Sequence, residues 1–305
     1  MANSNRLLAG QKLLLILAPS FGSRHGVDWP AVVARVARRN TSMNLRIALA
    51  VVCFAASLNS SAVAQDVFGA KRVGVDLGAN QGFVLVPPKP GPEGSRPWVW
   101  YAPVLGNNPS PNITWMAKQL VDAGFYIVGV NVGESMGNPA GRAVYSKFYD
   151  HVVKEFGLEP KARLLAQSRG GLMLYNWAVE NPSKVKCIAG VYPVGDLRSY
   201  PKLPRAAKEY GLTIEELEKI LPDNNPVDRL EPLAKADIPI LHIHGDADKL
   251  VPLEANSQTV YDRHTKFGGR MELIVPKGSG HKVGPEFFED PRMVKFLLDG
   301  DLRKK

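Results

Sequence analysis

Cysteine is scarce: the 305 residues include two, Cys53 and Cys187. Cys53 falls in a segment expected to be removed, which leaves Cys187 alone and excludes an internal disulfide even in an oxidising compartment. Cys187 lies in the apolar run "KVKCIAGVYP" and reads as a buried, inert thiol. Long apolar runs are lacking too. The run 47–56 is about half the roughly 20 residues a membrane span needs, so no integral span is expected in the mature chain. Acidic residues are nearly absent from 1–64, where Asp28 faces seven Lys/Arg. The other 241 residues hold 31 basic and 28 acidic side chains, and that near-balance excludes nucleic-acid binding as an expectation. No repeat and no low-complexity tract interrupts the chain.

What stands at the N-terminus is a targeting pattern. From Met43, "MNLRIALAVVCFAASLNSSAVAQD" has a basic start at Arg46, a short apolar stretch and the small-residue end Ala62-Val63-Ala64. Residues 43–64 therefore read as a signal peptide cleaved after Ala64, and the protein as secreted or periplasmic. Cys53 is too far from the cleavage point to be a lipid-anchored cysteine. Residues 1–42, basic and weakly patterned, read as an over-extended start, with translation beginning at Met43. Residues 65–305 are the expected catalytic domain.

Along that domain apolar runs alternate with helical stretches. Strands are expected at 82–86, 98–101, 125–132, 163–166, 185–191, in "IPILHIHG" and in "MELIV"; helices are expected at 113–123, 145–156, 171–180, 254–267 and in "DPRMVKFLLDG". This rhythm predicts an α/β protein of three layers, with a mostly parallel central sheet of about eight strands covered on both faces. The irregular section 196–238 is too long for a simple connection and is expected to be a small helical cap. Within it Thr213 and Glu216 form a capping box.

Two serines compete for a catalytic role. Gly133-Glu134-Ser135-Met136-Gly137 matches G-x-S-x-G, the nucleophile-elbow signature, whereas Ala166-Gln167-Ser168-Arg169-Gly170 has Ala in the first place. Chain order decides between them. "GSGHKVGPE" puts His281 after the last strand, and "HGDADKLVP" puts Asp246 and Asp248 after the one before it. A Ser…Asp…His order then needs its serine two strands earlier, which selects Ser168; Ser135 comes one strand too soon. The following helix agrees: "RGGLMLYNWAVENP" continues from Ser168, while Gly137, Pro139 and Gly141 should prevent a helix from opening cleanly after Ser135. Ala166 is nearly as small as Gly, so the elbow made with Gln167 and Gly170 is still buildable. Glu134 and Ser135 are left as pocket-wall candidates.

"AQSRGG", "HGDADKLVP" and "GSGHKVG", in this order, resemble the α/β-hydrolase fold. Within it the chain is similar to secreted bacterial hydrolases related to prolyl-oligopeptidase catalytic domains and to acetyl-xylan-type carbohydrate esterases. The resemblance covers roughly 70–300 and implies a Ser168–His281–Asp248 triad. A hydroxyl is a weak nucleophile until a base takes its proton. Imidazole, which titrates near neutrality, suits that role at His281. Asp248 would orient it, sitting at the acid position of H-G-x-x-D-x-x-V-P, and Asp246 is expected to serve its own turn. The oxyanion donors implied are the backbone N–H of Arg169 and that of Tyr101 or Ala102.

The implied activity is cleavage of a carboxylic ester, such as an O-acyl group on carbohydrate, through an acyl-enzyme. A prolyl-oligopeptidase-like peptidase is the alternative, because the triad serves both. No cofactor and no metal are expected. His242, His244 and Asp246 resemble the start of a metal-hydrolase motif, but Ala247 stands where a further histidine would be wanted. An inactive binding module, with Trp98, Trp100 and Trp115 stacking on sugar, is the remaining reading; tryptophans on a central strand more commonly belong to the core. The pocket is expected from loops 101–112 and 133–142 and from the cap.

Overall fold

The computed structural model describes residues 66–303. The calls on 1–42 and 43–64 lie outside them. Nine strands form one sheet: β1 (Asp66–Val67), β2 (Ala70–Asp76), β3 (Gln81–Val86), β4 (Trp98–Ala102), β5 (Tyr126–Val130), β6 (Ala162–Gln167), β7 (Val185–Val191), β8 (Ile240–Ile243) and β9 (Met271–Ile274). Their order is β1-β2-β3-β5-β4-β6-β7-β8-β9. The first three run antiparallel to their neighbours, and β5 through β9 are parallel. The expected count of about eight is exceeded by the two-residue edge strand β1. Sequence patterning also missed β2, whose "AKRVGVD" has a glycine and charges where an apolar alternation would show.

The helices are α1 (Thr114–Asp122), α2 (Pro139–Phe156), α3 (Gly170–Glu180), α4 (Leu203–Tyr210), α5 (Ile214–Ile220), α6 (Glu231–Lys235), α7 (Thr259–Lys266), α8 (Pro285–Phe288) and α9 (Pro291–Asp299). Strand side chains alternate between the faces, which makes two cores from one sequence run. In β4, Trp98, Trp100 and Ala102 face a core shared with α2 and α3, while Val99 and Tyr101 face one shared with α1, α8 and α9. Trp98 and Trp100 are fully buried and pack with Trp177 and Tyr149, away from any sugar-binding surface. Cys187 is buried as expected, and burial pushes its thiol up to about 12.

One helix departs from expectation. α2 opens at Pro139, six residues before Tyr145, because Asn138 accepts the Gly141 N–H and Pro139 occupies the first turn, where a missing N–H costs nothing. The glycines and proline after Ser135 thus start a helix rather than block it.

The section 196–238 folds as α4, α5 and α6 joined by short turns. Its capping box forms as expected, with Thr213 Oγ1 accepting the Glu216 N–H and Glu216 accepting the Thr213 N–H. Leu197, Ala206, Ala207, Leu217 and Leu221 make a third apolar cluster with Met136, Leu172, Val194 and Val251. Among the described residues, no helix is long and apolar enough to cross a membrane.

Candidate active site

The chain leaves β4 for β5 on one side and returns to β6 on the other. Such a reversal opens a crevice at the carboxyl ends of the strands. Each candidate residue follows a strand end there: Ser168 after β6, Tyr192 after β7, Asp248 after β8 and His281 after β9.

Ser168 sits at φ +49°, a left-handed conformation uncommon for a non-glycine residue and imposed here by the sharp turn from β6 into α3. Neighbours hold it there. Its N–H donates to the Val191 carbonyl at 3.0 Å, and its carbonyl accepts from Gly171 at 2.9 Å and Val194 at 2.8 Å. Gly170 and Gly171 are needed for space: a Cβ on Gly170 would lie 2.1 Å from the Ala102 oxygen, and one on Gly171 2.3 Å from the Val194 oxygen. Ala166, fully buried, pairs with Ala102 on one side and Gly190 on the other, so the small residue fits a crowded strand end.

The three side chains meet. Ser168 Oγ is 3.1 Å from His281 Nε2, and His281 Nδ1 is 2.7 Å from Asp248 Oδ2. Asp248 Oδ1 accepts the N–H groups of Leu250 at 3.0 Å and Val251 at 2.8 Å. Burial alone would push the Asp248 carboxyl up, but hydrogen bonds from His244, His281 and the Val251 N–H hold it well below the usual carboxylate range. Asp246 serves its own turn as expected and also does more. It accepts the Gly278 N–H at 2.7 Å, and with Ala247 N–H on the Ser279 carbonyl it ties the Asp248 loop to the His281 loop.

A cavity of about 420 Å³ opens above Ser168, lined by Tyr101, Gln167, Arg169, Tyr192 and His281 and by the proline-rich segment 103–111. Its size is that of a small-molecule pocket. Of the expected pocket walls only 101–112 lines it. Glu134 reaches the site indirectly, pairing with the guanidinium of Arg169. Ser135 is buried with its Oγ bonded to nothing, and the cap lies against α3 and 133–138 instead of over the cavity.

The oxyanion candidates separate. Among the described residues the Arg169 N–H has no acceptor, which leaves it free for a developing anion. Tyr101 and Ala102 lie inside β4, paired with Leu165 and Ala166, so their backbone belongs to the sheet. Ala102 does not line the cavity. Tyr101 does, and its phenol donates to Gln167 Oε1 at 2.7 Å. Burial raises the Tyr101 phenol far above neutrality, so it stays a donor.

Patterning missed Tyr192. It adopts φ +36°, its ring tilts over His281 at 4.3 Å between centroids, and Phe287 and Phe288 support it from behind. Its place after β7, the strand between those of Ser168 and Asp248, was the available signal. His242, His244 and Asp246 do not converge as metal ligands would. Both histidines bond Ser257, and Asp246 faces Gly278 and Lys277.

A model of the prolyl oligopeptidase family matches residues 146–298, half of the chain. No curated protein matches in sequence. Among solved structures, a putative dipeptidyl aminopeptidase IV from Bacteroides ovatus is 13% identical with a TM-score of 0.61, over 76% of this chain and 36% of that one. Dipeptidyl peptidase 4 from Porphyromonas gingivalis is 14% identical with a TM-score of 0.61, over 75% and 35%. The chain therefore spans about a third of the length of these two. An S-formylglutathione hydrolase from Agrobacterium tumefaciens is 15% identical with a TM-score of 0.58, over 77% of this chain and 94% of that one.

Proposed function

The chain belongs to the prolyl oligopeptidase family and is a serine hydrolase of the α/β-hydrolase type, and from that premise we propose that it cleaves carboxylic esters through an acyl-enzyme on Ser168. The observation that carries the reading is the continuous row Ser168 Oγ, His281, Asp248 at the mouth of one cavity. Ser168 Oγ attacks the carbonyl carbon as His281 Nε2 takes its proton. The carbonyl oxygen becomes an anion facing the Arg169 N–H; the neutral Tyr101 phenol becomes the second donor when its one hydrogen turns from Gln167 Oε1 to the anion. His281 returns the proton to the leaving alkoxide, and the ester bond breaks. Water repeats the sequence on the acyl-enzyme. Asp248 keeps Nδ1 protonated and compensates the imidazolium; it stays ionised throughout.

Two features support an ester with a compact acyl part. The cavity is small and carries apolar side chains at its rim, Leu105 and Val283, 52% and 62% exposed. The fold also matches nearly the whole of an S-formylglutathione hydrolase. An O-acyl group on a sugar has this chemistry. Peptide cleavage is the second reading, favoured by the family model and the dipeptidyl peptidase likeness. Initial rates on p-nitrophenyl acetate and acetylated sugars, set against dipeptide p-nitroanilides, separate the two. Ester turnover well above peptide turnover is expected, and the reverse order overturns the ester reading while leaving the serine hydrolase intact. Export by the segment 43–64 belongs to the same proposal, supported by its basic, apolar and small-residue pattern. N-terminal sequencing of exported protein should begin at Gln65; a start upstream contradicts it.

A further inference from the structure

The polar row does not stop at Asp248. His244 Nε2 lies 3.4 Å from Asp248 Oδ2 and 2.8 Å from the Val251 carbonyl. His244 Nδ1 is 2.8 Å from Ser257 Oγ, which is 2.9 Å from His242 Nδ1, and His242 Nε2 is 2.7 Å from the Tyr175 hydroxyl. His242, His244 and Ser257 are fully buried and Tyr175 nearly so, so water cannot substitute for any link. We infer that His244 is a positioning residue for Asp248, and that the chain Tyr175–His242–Ser257–His244 exists to keep its Nε2 hydrogen on the Val251 carbonyl, which holds the ring edge beside Asp248 Oδ2.

The proton positions follow from what each atom can do. Val251 O and Asp248 Oδ2 only accept, so His244 Nε2 carries hydrogen. Neutral His244 then accepts at Nδ1, and Ser257 O–H must be its donor. Ser257 Oγ in turn accepts from His242 Nδ1–H, which leaves His242 Nε2 to accept from Tyr175 O–H. Every buried donor and acceptor is satisfied. The reverse direction needs a charged His244 and leaves the Tyr175 hydroxyl hydrogen with no acceptor inside the core, a costly defect. Burial, with His244 and His264 nearby, holds His242 well below its ordinary pKa, in keeping with a neutral ring. The two histidines are therefore opposite tautomers: Nδ1–H at His242 and Nε2–H at His244. Links of this kind polarise one another, and here they run toward His244 Nε2, whose hydrogen bond ends on the Val251 carbonyl beside the carboxylate. With Leu250 and Val251 on Oδ1 and His244 beside Oδ2, Asp248 is fixed so that Oδ2 meets His281. None of the four residues lines the cavity, so their effect falls on the chemical step rather than on substrate binding.

The inference rests on the serine-hydrolase reading, and two measurements on the full chain keep the two separable. First, long-range ¹H–¹⁵N correlation of histidine side chains, at mildly alkaline pH, reads the tautomers without any substrate. Nδ1–H at His242 together with Nε2–H at His244 is expected; any other pair overturns the chain, whatever the enzyme does. Second, His244→Gln keeps an N–H near the Nε2 position and His244→Leu does not. With rates normalised to sites titrated by an organophosphonate, His244→Leu should lose about 10-fold in kcat, the upper range for one lost neutral hydrogen bond. KM should stay within about twofold, as for a group absent from the substrate contacts. His244→Gln should recover most of the loss. Equal kcat per titrated site in both variants reduces His244 to a packing residue and sinks the inference. Turnover surviving in Ser168→Ala would instead sink the hydrolase reading and leave the tautomers standing.

Discussion

Two serines follow β5 and β6, consecutive strands of the chain that flank β4 in the sheet, and both loops contain a left-handed non-glycine residue. At 166–170 that residue is the serine itself, Ser168 at φ +49°, which lifts Oγ toward His281. At 133–137 it is Met136 at φ +47°, one position later and between the left-handed Gly133 and Gly137, and Ser135 turns inward. A single-residue offset of the turn separates a nucleophile from a structural loop. The second loop has its own task. Met136 is buried in the cap cluster, Asn138 Nδ2 donates to the Glu209 carbonyl at 2.7 Å, and Asn176 Nδ2 reaches the Gly137 and Asn224 carbonyls. Loop 133–138 is where the cap is fastened to α3. A matching pattern specifies small residues at a turn; what the turn presents depends on which residue takes the positive φ.

The sharpest way to break this contrast is at the two hydroxyls. Ser168→Ala should lower kcat by roughly 10⁶-fold, the loss expected when a nucleophile is removed, while Ser135→Ala stays within about twofold because a buried, unbonded Oγ contributes nothing to turnover. The reverse outcome moves the active site to 133–137. Next in size is Asp248→Asn, expected to cost about 10⁴-fold in kcat with little change in KM, because the amide favours the wrong tautomer of His281. Steady-state kinetics at saturating ester checks it.

Smaller effects divide catalysis from docking. Gly170→Ala pushes a methyl into the Ala102 carbonyl and should cost about 3 kcal/mol in urea unfolding, the upper range for overpacking, along with activity. Gly137→Ala meets the Leu172 carbonyl at 2.3 Å and is also at φ +75°. Its stability loss should be similar, about 2–3 kcal/mol, but the folded fraction should keep its rate per site, since the triad is untouched. Equal loss of rate in both variants would erase the distinction between the loops.

The smallest effect is on acid stability. The Asp248 carboxyl is held below its ordinary value of 3.8 when folded. Its stabilisation is therefore complete above that value and is lost as pH falls through the lower, folded one. Wild type should exceed Asp248→Asn in stability at neutral pH, and the gap should close on acidification below about pH 4. A gap that widens there contradicts the assignment.

Much of this site was legible in the linear chain because parallel β/α order converts sequence order into position along a sheet edge. Ser168, Asp248 and His281 each follow a strand, and counting strands picked them without any geometry. The wall made by 133–142 and the cap was misjudged because patterning locates a loop but not the side on which it packs. The second partner of Asp246, Gly278, was not legible because it lies across a neighbouring loop. Tyr192 gave no signal, since a tyrosine after a strand is an ordinary core residue by type, and His242 and His244 read only as a fragment of a metal motif, because the Ser257 and Tyr175 that join them come from other segments.

Composition and spacing were enough for the class of fold, the alternation of faces, the burial of Cys187 and the serine hydrolase chemistry, because hydrophobic periodicity and chain order are properties of the line of residues. Which hydroxyl the backbone exposes, where the cap is anchored, and which proton each buried histidine carries were decided only in three dimensions. Those depend on contacts between segments far apart in sequence, such as the separation of 113 positions from Ser168 to His281, and on the cost of leaving polar atoms in the row behind Asp248 without partners.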